Sequence, residues 1–241
     1  MKISFCTTCA NRLYQLKQTF DENIELINNH SNTEWVLVNF GSTDELDLFI
    51  QEKLKNLTDR FVYVKELSGR NWSLPIAKNV AHVMSSGDIL FSLDCDNFIG
   101  NAIKNIEEHF IDSEDRVLHE WSKNRNDGTF GRIGLNKSVF YKLGGYDESL
   151  YPMGTQDYDL LRRAIAIGCK LVKNKDCKLL PIQNTEEEKL ALCKQYNLSM
   201  TEFHSKNLEV CLQNIVNNKL KANNGIFKLY NIEIFRGGLY Y

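Results

Sequence analysis

The chain has 241 residues, 43% hydrophobic and 25% charged, with a formal charge of −2. That length fits one large α/β domain, or one domain with a small appendage, and nothing in the near-balanced charge argues for a nucleic-acid partner or an anionic membrane surface. No apolar run approaches the roughly 20 residues needed to span a bilayer, and the opening Met1-Lys2-Ile3-Ser4-Phe5 reads as a strand rather than a signal peptide.

Ile3–Cys6 is the first continuous apolar run, and Leu13, Leu16, Phe20, Ile24 and Ile27 follow at helical spacing. Trp35–Val38 is a second run, closed by Gly41-Ser42-Thr43-Asp44, and Leu46, Phe49, Ile50, Leu54 and Leu57 mark a second helix. Phe61–Val64 is a third run, Ala77, Val80, Ala81 and Met84 form a third helical stripe, and Ile89–Leu93 is a fourth run. Continuous apolar strands alternating with helices predict an α/β fold with a parallel sheet buried on both faces. Ligands of such sheets bind beyond the carboxyl ends of the strands, which here means 7–12, 39–44, 65–71 and 94–97.

The alternation then weakens. The pattern predicts a strand over 128–135, a short helix over 138–143, a turn at Gly144-Gly145-Tyr146-Asp147, a helix from Asp157 to Ile167 ending at Gly168, and a late strand at Leu171–Lys173. From Glu186 onward the chain reads as helical, with Leu190, Cys193, Leu208, Cys211, Leu212, Ile215 and Val216 as packing positions. No repeat or low-complexity linker divides it, so one domain with a helical C-terminal extension is expected. The seven cysteines (6, 9, 95, 169, 177, 193 and 211) include one CxxC pair, Cys6 and Cys9, with no second pair or clustered histidine. A zinc site is therefore not expected, and the odd count reads as reduced thiols in a cytoplasmic protein.

The strongest chemical signal is Asp94-Cys95-Asp96-Asn97, directly after the fourth apolar run. Two carboxylates this close repel each other, and a divalent cation relieves that repulsion. Hard oxygen ligands suit Mn2+ or Mg2+, which keep open positions for substrate phosphates. The alternative is a solvated turn rich in Asp and Asn.

The ordered set Ala77-Lys78-Asn79, Gly87-Asp88-Ile89-Leu90 and Asp94-Cys95-Asp96 resembles the nucleotide-sugar half of family-2-type glycosyltransferases with the GT-A fold. The opening Phe5-Cys6-Thr7-Thr8-Cys9-Ala10-Asn11-Arg12 and the turn Gly41-Ser42-Thr43-Asp44 are similar to that family's first strand, its loop and its Gly-Ser-Thr-Asp turn. Downstream, Gly144-Gly145-Tyr146-Asp147 and Gly154-Thr155-Gln156-Asp157-Tyr158-Asp159-Leu160 resemble its Gly-Gly-Tyr-Asp segment and Glu-Asp-x-Asp-Leu helix start, an arrangement also similar to the β-1,4-galactosyltransferase catalytic domain. The resemblance spans residues 3–168, and its motifs are specific as an ordered set rather than singly.

This resemblance implies a Rossmann-like GT-A fold: a mostly parallel central sheet flanked by helices, with a nucleotide-sugar half (1–100), an acceptor half (101–180) and a helical extension (181–241). It implies a metal-dependent, inverting hexosyltransferase that moves a sugar from a nucleotide-diphosphate donor, with UDP the expected carrier, to a hydroxyl of a glycan, lipid-linked or protein acceptor in glycan or polysaccharide synthesis. Location would be cytoplasmic or peripheral to a membrane, with no transmembrane segment and no nucleic-acid partner. Asp96 would bind Mn2+ or Mg2+ directly, Asp94 would contact the donor ribose or the metal and its waters, and His204 would be a third ligand, or equally a surface histidine. Asp157 would deprotonate the acceptor hydroxyl, with Gln156 and Tyr158 beside it, while Asp157 and Asp159 also read as helix-capping residues. Thr7, Thr8, Arg12, Asn39, Asp44, Arg70, Lys78, Asn79 and Gly131 would line the donor. Arg132 reads as a structural ion-pair partner as well as a site residue, and His30, His82, His109 and His119 as structural.

Two positions depart from the family pattern. Asn39-Phe40 stands where two acids often precede Gly-Ser-Thr-Asp, and Gln156 replaces the usual Glu. The rival readings are a non-catalytic carbohydrate- or nucleotide-binding module, and a sugar-phosphate nucleotidyltransferase, which would want a Gly-rich basic loop where this chain has Thr7–Arg12.

Overall fold

A computed structural model describes residues 1–122, 127–174 and 181–238. The amino-terminal part alternates β1 (Ile3–Cys9), α1 (Leu13–Asn29), β2 (Thr33–Phe40), α2 (Leu46–Leu54), β3 (Phe61–Glu66), α3 (Leu74–Val83) and β4 (Ile89–Ser92). There follow α4 (Ala102–Phe110), β5 (Arg116–Glu120), β6 (Ile133–Asn136), α5 (Lys137–Leu143), α6 (Gln156–Ala166), β7 (Lys170–Asn174), α7 (Glu186–Leu190), α8 (Met200–Val216) and β8 (Ile232–Arg236).

One eight-stranded sheet has the order β7-β5-β6-β4-β1-β2-β3-β8. Pairings β1–β2, β1–β4, β2–β3 and β5–β7 are parallel, and β4–β6, β5–β6 and β3–β8 are antiparallel. Strands β1, β2 and β4 are buried along their whole length, as apolar runs covered on both faces must be. One face packs Phe5, Trp35, Leu37, Phe61 and Phe91 against Leu16 and Phe20 of α1 and Ile103 and Ile106 of α4. The other packs Val36, Val62, Leu90 and Ile133 against Ala77 and Val80 of α3, Phe140 of α5 and Leu160 of α6. Phe20 lies 5.3 Å from Trp35 and 5.7 Å from Phe61, an aromatic cluster that seats α1 on the central strands.

The structure departs from the sequence pattern in four places. The strand expected over 128–135 begins only at Ile133, because Gly128 turns at φ +78° and Asp127 Oδ1 accepts from the Thr129 amide at 2.9 Å. Helix α4 and strand β5 were not anticipated. The stretch expected to be helical after 186 does form α7 and α8 but ends in β8, which pairs with β3 at the sheet edge. Finally, α8 buries the expected Cys211 together with Phe203 and Asn207, whereas the expected Leu208, Leu212 and Val216 are exposed. The polar Asn207 decides that face. Its amide donates to the carbonyls of Tyr151, Met153 and Gly154 at 3.2, 2.9 and 2.7 Å, and its oxygen accepts from the Tyr151 amide at 2.7 Å.

Cys6, Cys9, Cys95, Cys169, Cys193 and Cys211 are free thiols, and Cys177 lies outside the described residues. Among the described residues no helix is long and apolar enough to cross a membrane.

Candidate active site

The carboxyl end of β4 delivers Asp94-Cys95-Asp96 into a turn closed by the Asn97 amide donating to Asp94 O at 2.9 Å. Helix α1 fixes this turn from beneath. Thr19 Oγ1 donates to Cys95 O at 2.8 Å, while Asn23 donates to Asn97 O at 3.0 Å and accepts from the Ile99 amide at 2.7 Å. These buried polar residues interrupt the apolar stripe of α1, and their role is to satisfy the turn's backbone.

Lys78, on α3, lies at the centre of the site with its side chain 1% exposed. Its ammonium sits 2.8 Å from Asp157 Oδ1 and 3.2 Å from Asp94 Oδ1, so one cation bridges the end of β4 and the first turn of α6. Burial alone would lower the Lys78 pKa, but Asp157 and Asp94 outweigh it and hold the group well above its usual value. Burial pushes the Asp157 carboxyl up, against the opposing pull of Lys78. Gly131 completes the cluster. A β-carbon there would lie 2.6 Å from Asp94 Oδ2, 3.1 Å from Lys78 Nζ and 3.3 Å from Asp157 Oδ2, so only glycine lets the backbone approach these three groups.

Asp96 accepts from Asn97 Nδ2 at 2.7 Å and from Asn184 Nδ2. Burial, followed by the neighbouring charge of Asp94, raises its carboxyl to about 6. Asn184 Oδ1 in turn accepts from Arg12 Nη1 at 3.0 Å and Gln15 Nε2 at 3.1 Å, which links the β1 loop to Asp96. The Ile182 amide donates to Asp96 O at 2.8 Å, laying this late segment across the turn. Sequence reasoning missed Asn184, because an isolated Asn after an irregular stretch carries no periodic signal.

The turn before α6 is unusual. Thr155 has φ +67°, a left-handed conformation that a β-branched residue adopts only under constraint. Its hydroxyl donates to His204 O at 3.1 Å and lies 3.2 Å from His204 Nδ1. The His204 ring covers Gly154, where a β-carbon would come within 3.0 Å of it. Asp94, Asp96 and His204 thus do not meet as one ligand set, and among the described residues no three His, Cys, Asp or Glu side chains do. Two carboxylates with excess negative charge, one of them partly exposed, still fit a hard divalent cation whose remaining positions are open.

Several residues expected on the donor are buried or hydrogen-bonded within the protein. Thr7 Oγ1 accepts from Trp35 Nε1 at 2.8 Å in the core, and Thr8 is buried. Asn39 donates to Tyr63 and Asp47 at 2.9 and 3.1 Å and accepts from the Ser42 amide at 2.8 Å. Asp44 accepts from the amides of Leu13 and Leu46 at 3.0 and 3.3 Å. Arg70 donates to Glu66 Oε1 at 3.0 and 2.8 Å. Asn79 is fully buried, holding both Tyr146 N and Tyr146 O at 2.8 Å, against Gly145, whose φ is +68°. Burial requires these bonds, since polar atoms removed from water must find partners inside.

Gln156 is buried and donates to Asp157 Oδ2 at 3.1 Å, while its Oε1 has no hydrogen-bond partner. Tyr158 is half-buried beneath Arg162. Asp159 caps nothing: Arg163 Nε donates to it at 2.8 Å and Arg163 also holds the carbonyls of Leu143 and Gly145, a buried structural pair. Arg132 pairs with Glu120 at 2.7 Å.

The sequence matches no known family profile, and no curated protein sequence matches it. Solved structures do match. Residues 1–349 of S. aureus TarS in complex with UDP-GlcNAc superpose with a TM-score of 0.61 at 14% identity, over 79% of this chain and 61% of that one. The mannosyltransferase PcManGT from Pyrobaculum calidifontis, in complex with GDP-Man and Mn2+, gives 0.59 at 15% identity, over 73% of this chain and 55% of that one. The likeness shows the fold, which is the GT-A arrangement with a mostly parallel sheet between helices. The chain spans less than two thirds of the length of either protein.

Proposed function

We propose that the protein is a metal-dependent, inverting glycosyltransferase of the family-2 type, also akin to β-1,4-galactosyltransferases, that transfers a sugar from a nucleotide-diphosphate donor, UDP-linked by resemblance, to an acceptor hydroxyl. The observation that carries this reading is the meeting of Asp94 and Asp157 on Lys78, packed against a glycine whose lack of a β-carbon lets all three groups approach the backbone. The folds it resembles belong to proteins whose structures hold UDP-GlcNAc and GDP-Man. In this reading residues 1–100 bind the nucleotide sugar, 101–180 the acceptor, and 181–241 are an appended segment.

Asp157 is the base. Its buried, raised carboxyl is a stronger proton acceptor than a solvated one, and the Lys78 ammonium keeps it ionised and oriented. Gln156, whose buried Oε1 has no hydrogen-bond partner, would accept a hydrogen bond from an acceptor hydroxyl. Asp94 and Asp96 would hold Mn2+ or Mg2+, which supplies positive charge for the diphosphate leaving group. Arg12, through Asn184, fixes the orientation of Asp96. The chain's own contribution is to orient the attacking hydroxyl and remove its proton at Asp157 Oδ1 or Oδ2.

A thermal-shift panel of UDP- and GDP-sugars with Mn2+ tests donor choice, because a ligand bound only to the folded state raises Tm by mass action. Metal-stimulated release of the free nucleoside diphosphate separates an enzyme from a binding module, and no release in the presence of a stabilising nucleotide sugar would overturn the enzymatic reading.

A further inference from the structure

A cleft of about 410 Å3 lies between the loop entering α3 and the loop that precedes α6. Asn71 and Trp72 form one wall, Glu148, Ser149 and Tyr151 the other, with Tyr196 also lining it. Its volume falls within the range of small-molecule sites. Neither Asp94, Lys78 nor Asp157 lines it, so it is separate from the charged cluster.

Its aromatic residues are held in place. Trp72 Nε1 donates to Met153 Sδ at 3.3 Å, and its ring packs on Phe40 at 5.5 Å. Tyr151 packs on Tyr196 and on Phe203, each at 6.1 Å, yet Tyr151 and Tyr196 remain 36% and 38% exposed. The Glu148 side chain is only 2% exposed. Its Oε1 accepts from Asn79 at 2.9 Å, whereas its buried Oε2 has no hydrogen-bond partner and lies 4.0 Å from the half-exposed Lys228 ammonium.

We propose that this cleft is a subsite for a neutral sugar ring of the acceptor. Glu148 accepts a hydroxyl's hydrogen bond, and the aromatic walls cover the C–H face of the ring. The assignment rests on the glycosyl-transfer reading for the word acceptor, and on the cleft alone for the saccharide. An apolar ligand would give Oε2 no hydrogen-bond donor and leave it only the Lys228 ammonium at 4.0 Å. An anionic ligand would meet the Glu148 charge, and Arg70, the only basic side chain among the described lining residues, is already engaged by Glu66 at 2.8 Å. Four residues, 152–155, connect Tyr151 to the start of α6, and Asn207 binds the backbone at both ends of that span, which ties the cleft wall to Asp157.

The test uses Trp fluorescence of the full chain titrated with methyl glycosides of glucose, galactose and N-acetylglucosamine, with methyl glucuronide as the anionic probe. A saturable change is expected with at least one neutral glycoside. It should vanish in Trp72→Phe, which identifies the reporter, and weaken about tenfold in Tyr151→Ala, with the thermal transition of that variant read alongside to confirm that it folds. Glu148→Gln should admit the glucuronide that the native chain rejects. The proposal fails if no neutral glycoside gives saturation, if Tyr151→Ala binds as tightly as the native chain, or if the native chain takes the glucuronide equally well. Stabilisation by nucleotide sugars with Mn2+ is read in parallel. Its loss with glycoside binding intact overturns the transfer reading and leaves the saccharide site, and the converse overturns the saccharide site alone.

Discussion

The loops that follow β1, β2 and β3 and the junction where β4 meets α6 are equally polar but use polarity in opposite ways. In the first region almost every side chain closes on another. Asn11, at φ +53°, accepts from the Thr43 amide at 2.6 Å and the Asp44 amide at 3.3 Å, while Asn39, Asp44 and Arg70 are each bound by two or more partners. At the junction, Asp94 and Asp157 share one ammonium, Gln156 keeps an unpartnered oxygen, and Asp96 carries a carboxyl raised to about 6. A satisfied network rigidifies, whereas an unbalanced one holds charge ready for a ligand.

If that contrast is right, substitutions at the junction alter chemistry and those in the loops alter stability. The largest effect is expected for Asp157→Asn: transfer falls by about 10²–10⁴-fold while nucleotide-sugar binding and the thermal transition persist. Unimpaired initial rates in this variant would erase the distinction. Lys78→Met should affect both properties, because it leaves two carboxylates facing each other without a cation. A loss of about 3–5 kcal/mol is expected in chemical denaturation, recovered in part by adding Asp157→Asn.

Behind the junction, His82 is buried against Phe140 at 4.9 Å, and its Nδ1–H donates to Lys78 O at 2.7 Å. Burial lowers its pKa from 6.5 to about 3. The unfolded chain therefore binds a proton that the folded chain refuses. This contribution is complete above about pH 6.5 and is lost as the pH falls toward 3, on the order of a few kcal/mol. His82→Phe should flatten the acid limb of a stability-versus-pH curve, and an unchanged limb would place the acid sensitivity elsewhere. The smallest effect is expected for Asn11→Gly, which tolerates the backbone angle but removes the clasp between the first two loops. A loss of about 1–2 kcal/mol is expected, read as a lower denaturation midpoint at constant slope.

Much of the amino-terminal half was legible in the sequence, because strands buried on both faces write themselves as unbroken apolar runs such as Trp35–Val38. The later elements do not follow that rule. In β5, His119 and Glu120 are buried because Phe130 O and Arg132 satisfy them, a circumstance no local pattern announces. Strand β8 is half-exposed and lies in the stretch that the sequence pattern reads as helical. The site carboxylates Asp94, Asp96 and Asp157 were legible as motif positions. The bridging role of Lys78 was not, since it depends on α3 bringing that side chain to both Asp94 and Asp157. The partners of the polar loop residues were hidden for the same reason, as sequence displays a polar atom but not the group that holds it.

Strand β8 also bears on how the chain is made. Among the described residues it alone pairs with the outer edge of β3, with Val62 opposite Arg236 and Glu66 opposite Ile232. An uncovered strand edge is a template for pairing with other chains. During translation that edge therefore stays bare from the synthesis of residue 66 until residue 236 emerges, an interval in which a nascent chain is exposed to intermolecular association and to chaperone capture.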